Sequence, residues 1–370
     1  MSDTDRPLPV ARFYWVDALR GVAALAIVIL HYHHFYLADA DDRPSLPDIA
    51  SFPFASFLAP LYSPFAANAV ELFWLISGFV FVHVYLHRQT GAWPFAVARF
   101  ARLYPLHFAT LVYVALLQFI SIEAVGHWQV YGNNDARHFV LHLFMASNWT
   151  SLSRGLSFNG PIWSVSLEIV VYAMFFVALH FIRKAPLLAS LCLCAASWTW
   201  VAWHPVDLPL IRLGVFECAG YFFLGAVLYC ARPHGHFGRA LAIGSVGGAL
   251  SIAGFRVGVD HLLVAGLAVA LLAVAAGLDS VATQSGKRLS ALGDISYSLY
   301  LVHVPLQMTV LLFADVFFDG SRQFAESYLT LPVYVTASVL LAYAIFHWYE
   351  RPLGRMSKRA LLGRKKQFSP

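Results

Sequence analysis

The sequence predicts an all-α, polytopic integral membrane protein with ten transmembrane helices and both termini cytoplasmic. Three observations carry this. Of 370 residues, 59% are hydrophobic and only 12% charged, with a mean hydropathy of +0.65, whereas a soluble domain carries about twice that charged fraction. Apolar runs long enough to cross a bilayer recur from end to end. Lysine and arginine concentrate in alternate connections between those runs, as cytoplasmic loops do.

The runs fall near residues 17–38, 68–87, 103–122, 162–182, 186–203, 211–230, 239–256, 260–278, 292–314 and 329–348. The first, DALRGVAALAIVILHYHHFYL, holds Arg20 and His31. Eleven positions at ~100° each return almost to the starting azimuth, ~16 Å along the axis. One helical face thus carries a fixed cation near one end and a proton carrier deeper in. Each is costly inside a bilayer unless it faces a polar cavity or partner, so both are expected to line one water-accessible passage. The preceding sixteen residues are polar and the run is too long for a cleavable signal core, so this span should remain as an anchor.

The second run contains NAVELFWLISGFVF, which sets Glu71, Trp74 and Gly78 on one face. Ser77 and Gly78 place small groups where another helix or a ligand can approach closely. Ahead of the third run, QTGAWPFAVARFARLYP sets Arg99 and Arg102 one turn apart. This reads either as an interfacial helix snorkelling into anionic headgroups or as a docking site for a cytoplasmic anion. The fourth opens at FNGPIWSVSLEIVVY, where Pro161 starts a helix and Ser164 and Glu168 share a face. A carboxylate so placed needs a partner, and His31 or an arginine is the expected one.

Cys192, Cys194, Cys218 and Cys230 lie in predicted spans without disulfide or zinc spacing and read as apolar packing. A short turn near residues 258–260 separates the seventh and eighth runs. In the ninth, LGDISYSLYLVHVPL, Ser296, Tyr300 and His303 form a polar stripe, either substrate lining or a hydrogen-bonded seam. Asp294 stands where a helix N-cap explains it. The last run closes on FHWYERPLG, with Glu350 beside Arg351 as a salt-bridged membrane edge. His31 and His34 lack a third ligand nearby, so no metal site is expected.

Orientation follows from the basic residues. Arg6, Arg12, Arg88, Arg99, Arg102, Arg183, Lys184, Arg232, Arg239, Lys287, Arg288 and the tail fall on one side; Arg43, Arg137, Arg154, Arg212, Arg256 and Arg322 fall on the other. The domains read as a segment 1–16, a membrane domain 17–350 and a basic tail 351–370. The net charge of +5 and pI near 9.0 are dispersed over membrane-edge loops, which argues against nucleic-acid binding. No internal duplication of the kind many transporters carry is evident. Two outer connections, 39–64 and 123–160, exceed what a hairpin needs, and the second should hold a short helix near 136–146. With the spans running to residue 350, the chemistry is expected among the helices and their loops.

VDALRGVAALAIVILHY, ELFWLISGFVF, RFARLYPLH, IWSVSLEIVVY, LGDISYSLYLVHVPL and YERP occur in this order. Together they resemble acyltransferase family three, integral-membrane enzymes that modify cell-surface and secreted carbohydrates. The resemblance implies a ten-helix core that moves an acyl group, often acetyl, from acyl-CoA to a glycan hydroxyl. It gives weight to Arg20, His31, Arg99, Arg102, Glu168, Ser296, Tyr300 and His303. Some relatives carry a further esterase-like domain; this chain resembles the stand-alone form.

On that reading His31 is the general base, because its pKa can lie near the operating pH, and Glu168 orients its ring. Arg20, Arg99 and Arg102 grip the CoA phosphates through charge-assisted hydrogen bonds. Glu71, Ser77, Trp163, Ser164, Ser296, Tyr300 and His303 line the substrate. No nucleophile-elbow sequence appears, so direct transfer is expected rather than an acyl-enzyme. The expected partners are membrane lipid, acyl-CoA as donor substrate and a carbohydrate acceptor chosen by the outer loops. No permanently bound cofactor is expected, the oligomeric state stays open, and the location is a bacterial inner membrane. The alternative is a transporter passing an acyl group, glycan or lipid through the same polar cavity.

Overall fold

A computed structural model describes residues 12–40, 47–153, 155–208 and 210–363. Among them the chain forms α1 (Tyr14–Leu30), α2 (Ala55–Tyr62), α3 (Ala69–Tyr85), α4 (Ala92–Val125), α5 (Ala136–Leu143), α6 (Ile162–Lys184) and α7 (Pro186–Trp203). These are followed by α8 (Leu213–Cys230), α9 (Phe237–Val257), α10 (Asp260–Leu278), α11 (Thr283–Asp294), α12 (Ser296–Phe317), α13 (Thr330–Ile345) and α14 (Arg351–Leu362). Ten helices are long and apolar enough to cross a membrane, and each coincides with one predicted run.

The differences are local and have physical causes. The α-helix of the first span stops at Leu30, and a 3-10 turn carries His31–Tyr36. The Arg99–Arg102 segment is not a separate interfacial piece but the start of α4, a helix of 34 residues. At ~1.5 Å per residue it far exceeds a hydrocarbon core ~30 Å thick, so one end projects into the interface. The ninth run divides into α11 and α12, and Asp294 ends α11 instead of capping α12. Its carboxylate instead takes Arg12 at 2.6 Å. The last span runs through a π turn, Phe346–Glu350, into α14, so residues 351–362 of the tail are helical.

Close approach of backbones builds the bundle. A Cβ added to Gly78 would stand 1.7 Å from the Phe222 carbonyl oxygen, and one added to Gly225 would stand 1.9 Å from that of Leu75. The glycines of α3 and α8 thus each admit the other helix's backbone, the small-residue packing that substitutes for a hydrophobic driving force in lipid. Gly258, at φ +68°, makes the tight α9–α10 turn where the sequence places it.

Polar links tie each end of the bundle together. At one end Arg12 bridges Asp17 and Asp294, Arg102 meets Glu350, and Arg183 donates to the carbonyls of Tyr85 and Arg88. At the other, Arg212 donates to Asn148 at 2.6 Å, and Asp315 accepts from Arg322 at 2.5 Å and from Gln129 at 2.6 Å. Arg6, Arg43, Arg154 and residues 364–370 lie outside the described residues.

The connection 126–161 contains the expected short helix, α5, and folds back into the bundle. His107 of α4 donates to the His142 carbonyl at 2.7 Å, the His142 ring meets Ser157 at 2.8 Å, and Asn159 donates to the Leu301 carbonyl at 2.9 Å. Burial pushes the His142 imidazole down to about 3, so it is neutral near pH 7 and suits that site.

The packing yields a stability prediction. Gly225→Ala forces two helix backbones apart and should destabilise the protein by ~1–3 kcal/mol. Gly248→Ala, where a Cβ meets nothing within 4 Å, should be neutral or stabilising by up to ~1 kcal/mol. Thermal unfolding in detergent checks both.

Candidate active site

Three arginines converge from two helices. Arg20 of α1 donates to the Gly293 carbonyl at 2.6 Å and to Ser296 Oγ at 3.0 Å, and pairs with Asp17 at 3.4 Å. Ser296 Oγ itself donates to the Gly293 carbonyl at 2.8 Å, which leaves its lone pairs toward the guanidinium. On α4, one turn apart, Arg99 lies 4.9 Å over the Phe81 ring and Arg102 lies 5.5 Å over Tyr297. Arg102 also pairs with Glu350, which is 3% exposed and accepts from Ser298 at 2.5 Å. Arg99 makes no ion pair among the described residues. Its one hydrogen bond there is a long one, 3.4 Å, to the Tyr85 hydroxyl, and its buried Nε has no acceptor.

All three line one cavity of ≈ 160 Å³ with Ser77, Ser164, Glu168, Ser296 and Tyr300. With Trp74, which lines it too, the structure thereby joins nine of the residues singled out from the sequence, although they come from α1, α3, α4, α6 and α12. Tyr172 and Tyr297 line the same cavity and were not singled out, because aromatic residues are too common in this chain to signal a site.

The expected pairing of Glu168 with His31 is not what the helices build. α6 presents Glu168 to α3, where its Oε1 accepts from Ser77 Oγ at 2.6 Å. The end of α1 presents His31 to α12 instead. There His31 Nδ1 lies 2.8 Å from the Ile27 carbonyl and 3.3 Å from His303 Nε2, and Gln307 donates to the His31 carbonyl at 2.7 Å.

These contacts decide the tautomers. A carbonyl oxygen only accepts, so His31 carries its proton on Nδ1 and its lone pair on Nε2. By the same rule His303, fully buried, donates from Nδ1 to the Leu299 carbonyl at 3.1 Å. Its Nε2 is then an acceptor for the His31 Nδ1 proton, shared with Ile27. Gln307 also meets His34 Nδ1 at 3.1 Å through Oε1, a role that no sequence spacing signalled.

Arg20 lines the cavity, and His31 is not among its lining residues. Tyr300 and Ser164 share a hydrogen bond of 2.8 Å, and the Tyr300 ring lies 6.0 Å from that of His303. The His31 backbone N–H still bonds the Ile27 carbonyl, and Arg20 and His31 both meet α12, through Ser296 and His303, as their shared helical phase expects.

Glu71 and Trp163 also stand apart from the cavity. Glu71 sits six positions, ~9 Å, along α3 from Ser77, and Trp163 packs edge-on to Trp74 with ring centroids 5.9 Å apart. Glu350 is the converse correction. The π turn aims it inward to Arg102, while the adjacent Arg351 is exposed. The partners are 248 positions apart, too far for a local pattern to show.

Comparison with known proteins agrees with this architecture. The family model of an acyltransferase domain matches residues 13–347. The chain is 24% identical over 370 residues to "Acyltransferase MdmB" of Streptomyces mycarofaciens, covering 92% of this chain and 89% of that protein. It is 33% identical over 181 residues to "Protein 2 in picA locus" of Rhizobium radiobacter, covering 45% of this chain and 82% of that protein. No solved structure matches.

The buried pair makes a testable demand. Removing Arg102 alone leaves the Glu350 carboxylate uncompensated, so Arg102→Met should destabilise more than the double replacement Arg102→Met with Glu350→Met. A coupling of ~1–3 kcal/mol between the two sites, read by thermal unfolding, is the expected result.

Proposed function

The chain belongs to the acyltransferase family and is a multi-pass membrane acyltransferase; from that premise we propose that it moves an acyl group, acetyl foremost, from acyl-CoA to a hydroxyl of a cell-surface or secreted glycan. The end rich in Arg and Lys is taken as the cytoplasmic face of a bacterial inner membrane, which places the donor on the side of Arg20, Arg99 and Arg102. The observation that carries the reading is Arg99. Arg20 and Arg102 have carboxylates within 4 Å, whereas Arg99 meets the Glu168 charge only at longer range and faces the cavity with no ion pair that close among the described residues and with a buried, unsatisfied N–H. An anion completes such a site, and a phosphate suits the fork of a guanidinium.

In this reading the donor reaches up the cavity past Glu168 and Ser77 to the Tyr300–Ser164 layer, and the acceptor comes from the opposite face toward His31. The acceptor hydroxyl oxygen attacks the thioester carbonyl carbon as its proton passes to His31 Nε2. The C–S bond then breaks, and the departing CoA sulfur takes up a proton. His303 and Gln307 are positioning residues that hold the His31 ring and backbone in the base tautomer. Of the Tyr300–Ser164 pair, the hydroxyl that accepts from the other supplies a donor for the oxyanion.

Purified protein in detergent, given labelled acetyl-CoA and glycan from the same cells, tests this, because transfer without a sealed compartment requires an enzyme. His31→Ala should lower transfer by at least ~100-fold with folding intact, and a folded variant of full activity ends the assignment. Arg99→Gln should raise the donor KM by about tenfold with little change in kcat, and an unaltered KM refutes the docking role.

A further inference from the structure

A second hollow, of ≈ 680 Å³, lies between α4 and α6 and shares Arg99, Leu103 and Tyr172 with the polar cavity. Its remaining wall is hydrocarbon and aromatic, including Phe95, Phe100 and Phe176. It opens at the protein surface, where Phe100 is 42%, Phe144 72% and Val177 75% exposed. A polar chamber bearing three guanidiniums and an apolar trough thus meet at a common wall. The pair complements a polyanionic head joined to a hydrocarbon tail; a lipid with a single phosphate would engage Arg99 and leave the rest of the chamber unused.

We propose that this groove receives the hydrocarbon chain of acyl donors longer than acetyl, which turns from the thioester past Leu103 and Tyr172 while the CoA moiety extends from the cavity toward the basic end. The inference rests on the acyl-CoA reading above and adds the donor's chain as a specificity determinant. Its consequence is that affinity rises with chain length, since each methylene moved out of water is favourable.

The test is equilibrium binding of CoA, acetyl-CoA, butyryl-CoA and octanoyl-CoA to the full chain in nanodiscs, with protein-free nanodiscs subtracted to remove simple partitioning. Octanoyl-CoA should bind at least ~10-fold more tightly than acetyl-CoA. Ala173→Trp and Ala96→Trp, on opposite walls of the groove, should each erase that gain while acetyl-CoA affinity stays within about twofold. If one variant fails to fold, the other carries the test. No gain in the unaltered protein, or a gain that survives both substitutions, overturns the proposal. Failure of CoA and acetyl-CoA themselves to bind removes the donor reading, and this inference falls with it.

Discussion

A charge inside a bilayer persists only where the protein supplies its partner, and the contact that meets this need most directly is Arg102 with Glu350. The carboxylate is buried, accepts from Ser298 as well, and so ties α4 to α12 and to the turn after α13. Removing Arg102 leaves the buried Glu350 carboxylate uncompensated in low dielectric, which costs far more than the pair contributes. The position of α4, and with it of Arg99, follows from that link. Arg20 obeys the same constraint through Asp17, Ser296 and the Gly293 carbonyl.

The constraint also explains why the polar groups form two compartments. Guanidiniums gather at the basic end, where a cavity relieves their desolvation, and the imidazoles of His31, His34 and His303 cluster further along α1 and α12. Neutral imidazoles need only hydrogen bonds, and backbone carbonyls together with Gln307 provide them. Tyr300 and Ser164 stand between the compartments. On the proposed reading, an acyl donor and an acceptor entering from opposite faces would meet at this layer.

Around these groups the scaffold is rigid for an ordinary reason. Glycines at positions 78 and 225 let α3 and α8 touch backbone to backbone, and the outer connection 126–161 is pinned by His107, Tyr104 and Asn159. Ser77 and Glu168 are therefore held across α3 and α6 at 2.6 Å by packing that neither residue contributes to.

The ten spans, the Gly258 turn, α5 and the residues worth watching were legible from the amino acids alone. Length and hydropathy are local properties, and an ionisable group in an apolar run stands out wherever it lies. Motif order was equally legible and leads to the same family. Pairing was not. Glu168 turned to Ser77 instead of His31, Glu350 turned from Arg351 to Arg102, and Glu71 and Trp163 stayed outside the cavity. Each outcome depends on which helix lies alongside and how it is rotated, and that is decided by close packing between segments distant in the chain, which no run of neighbouring residues encodes by itself.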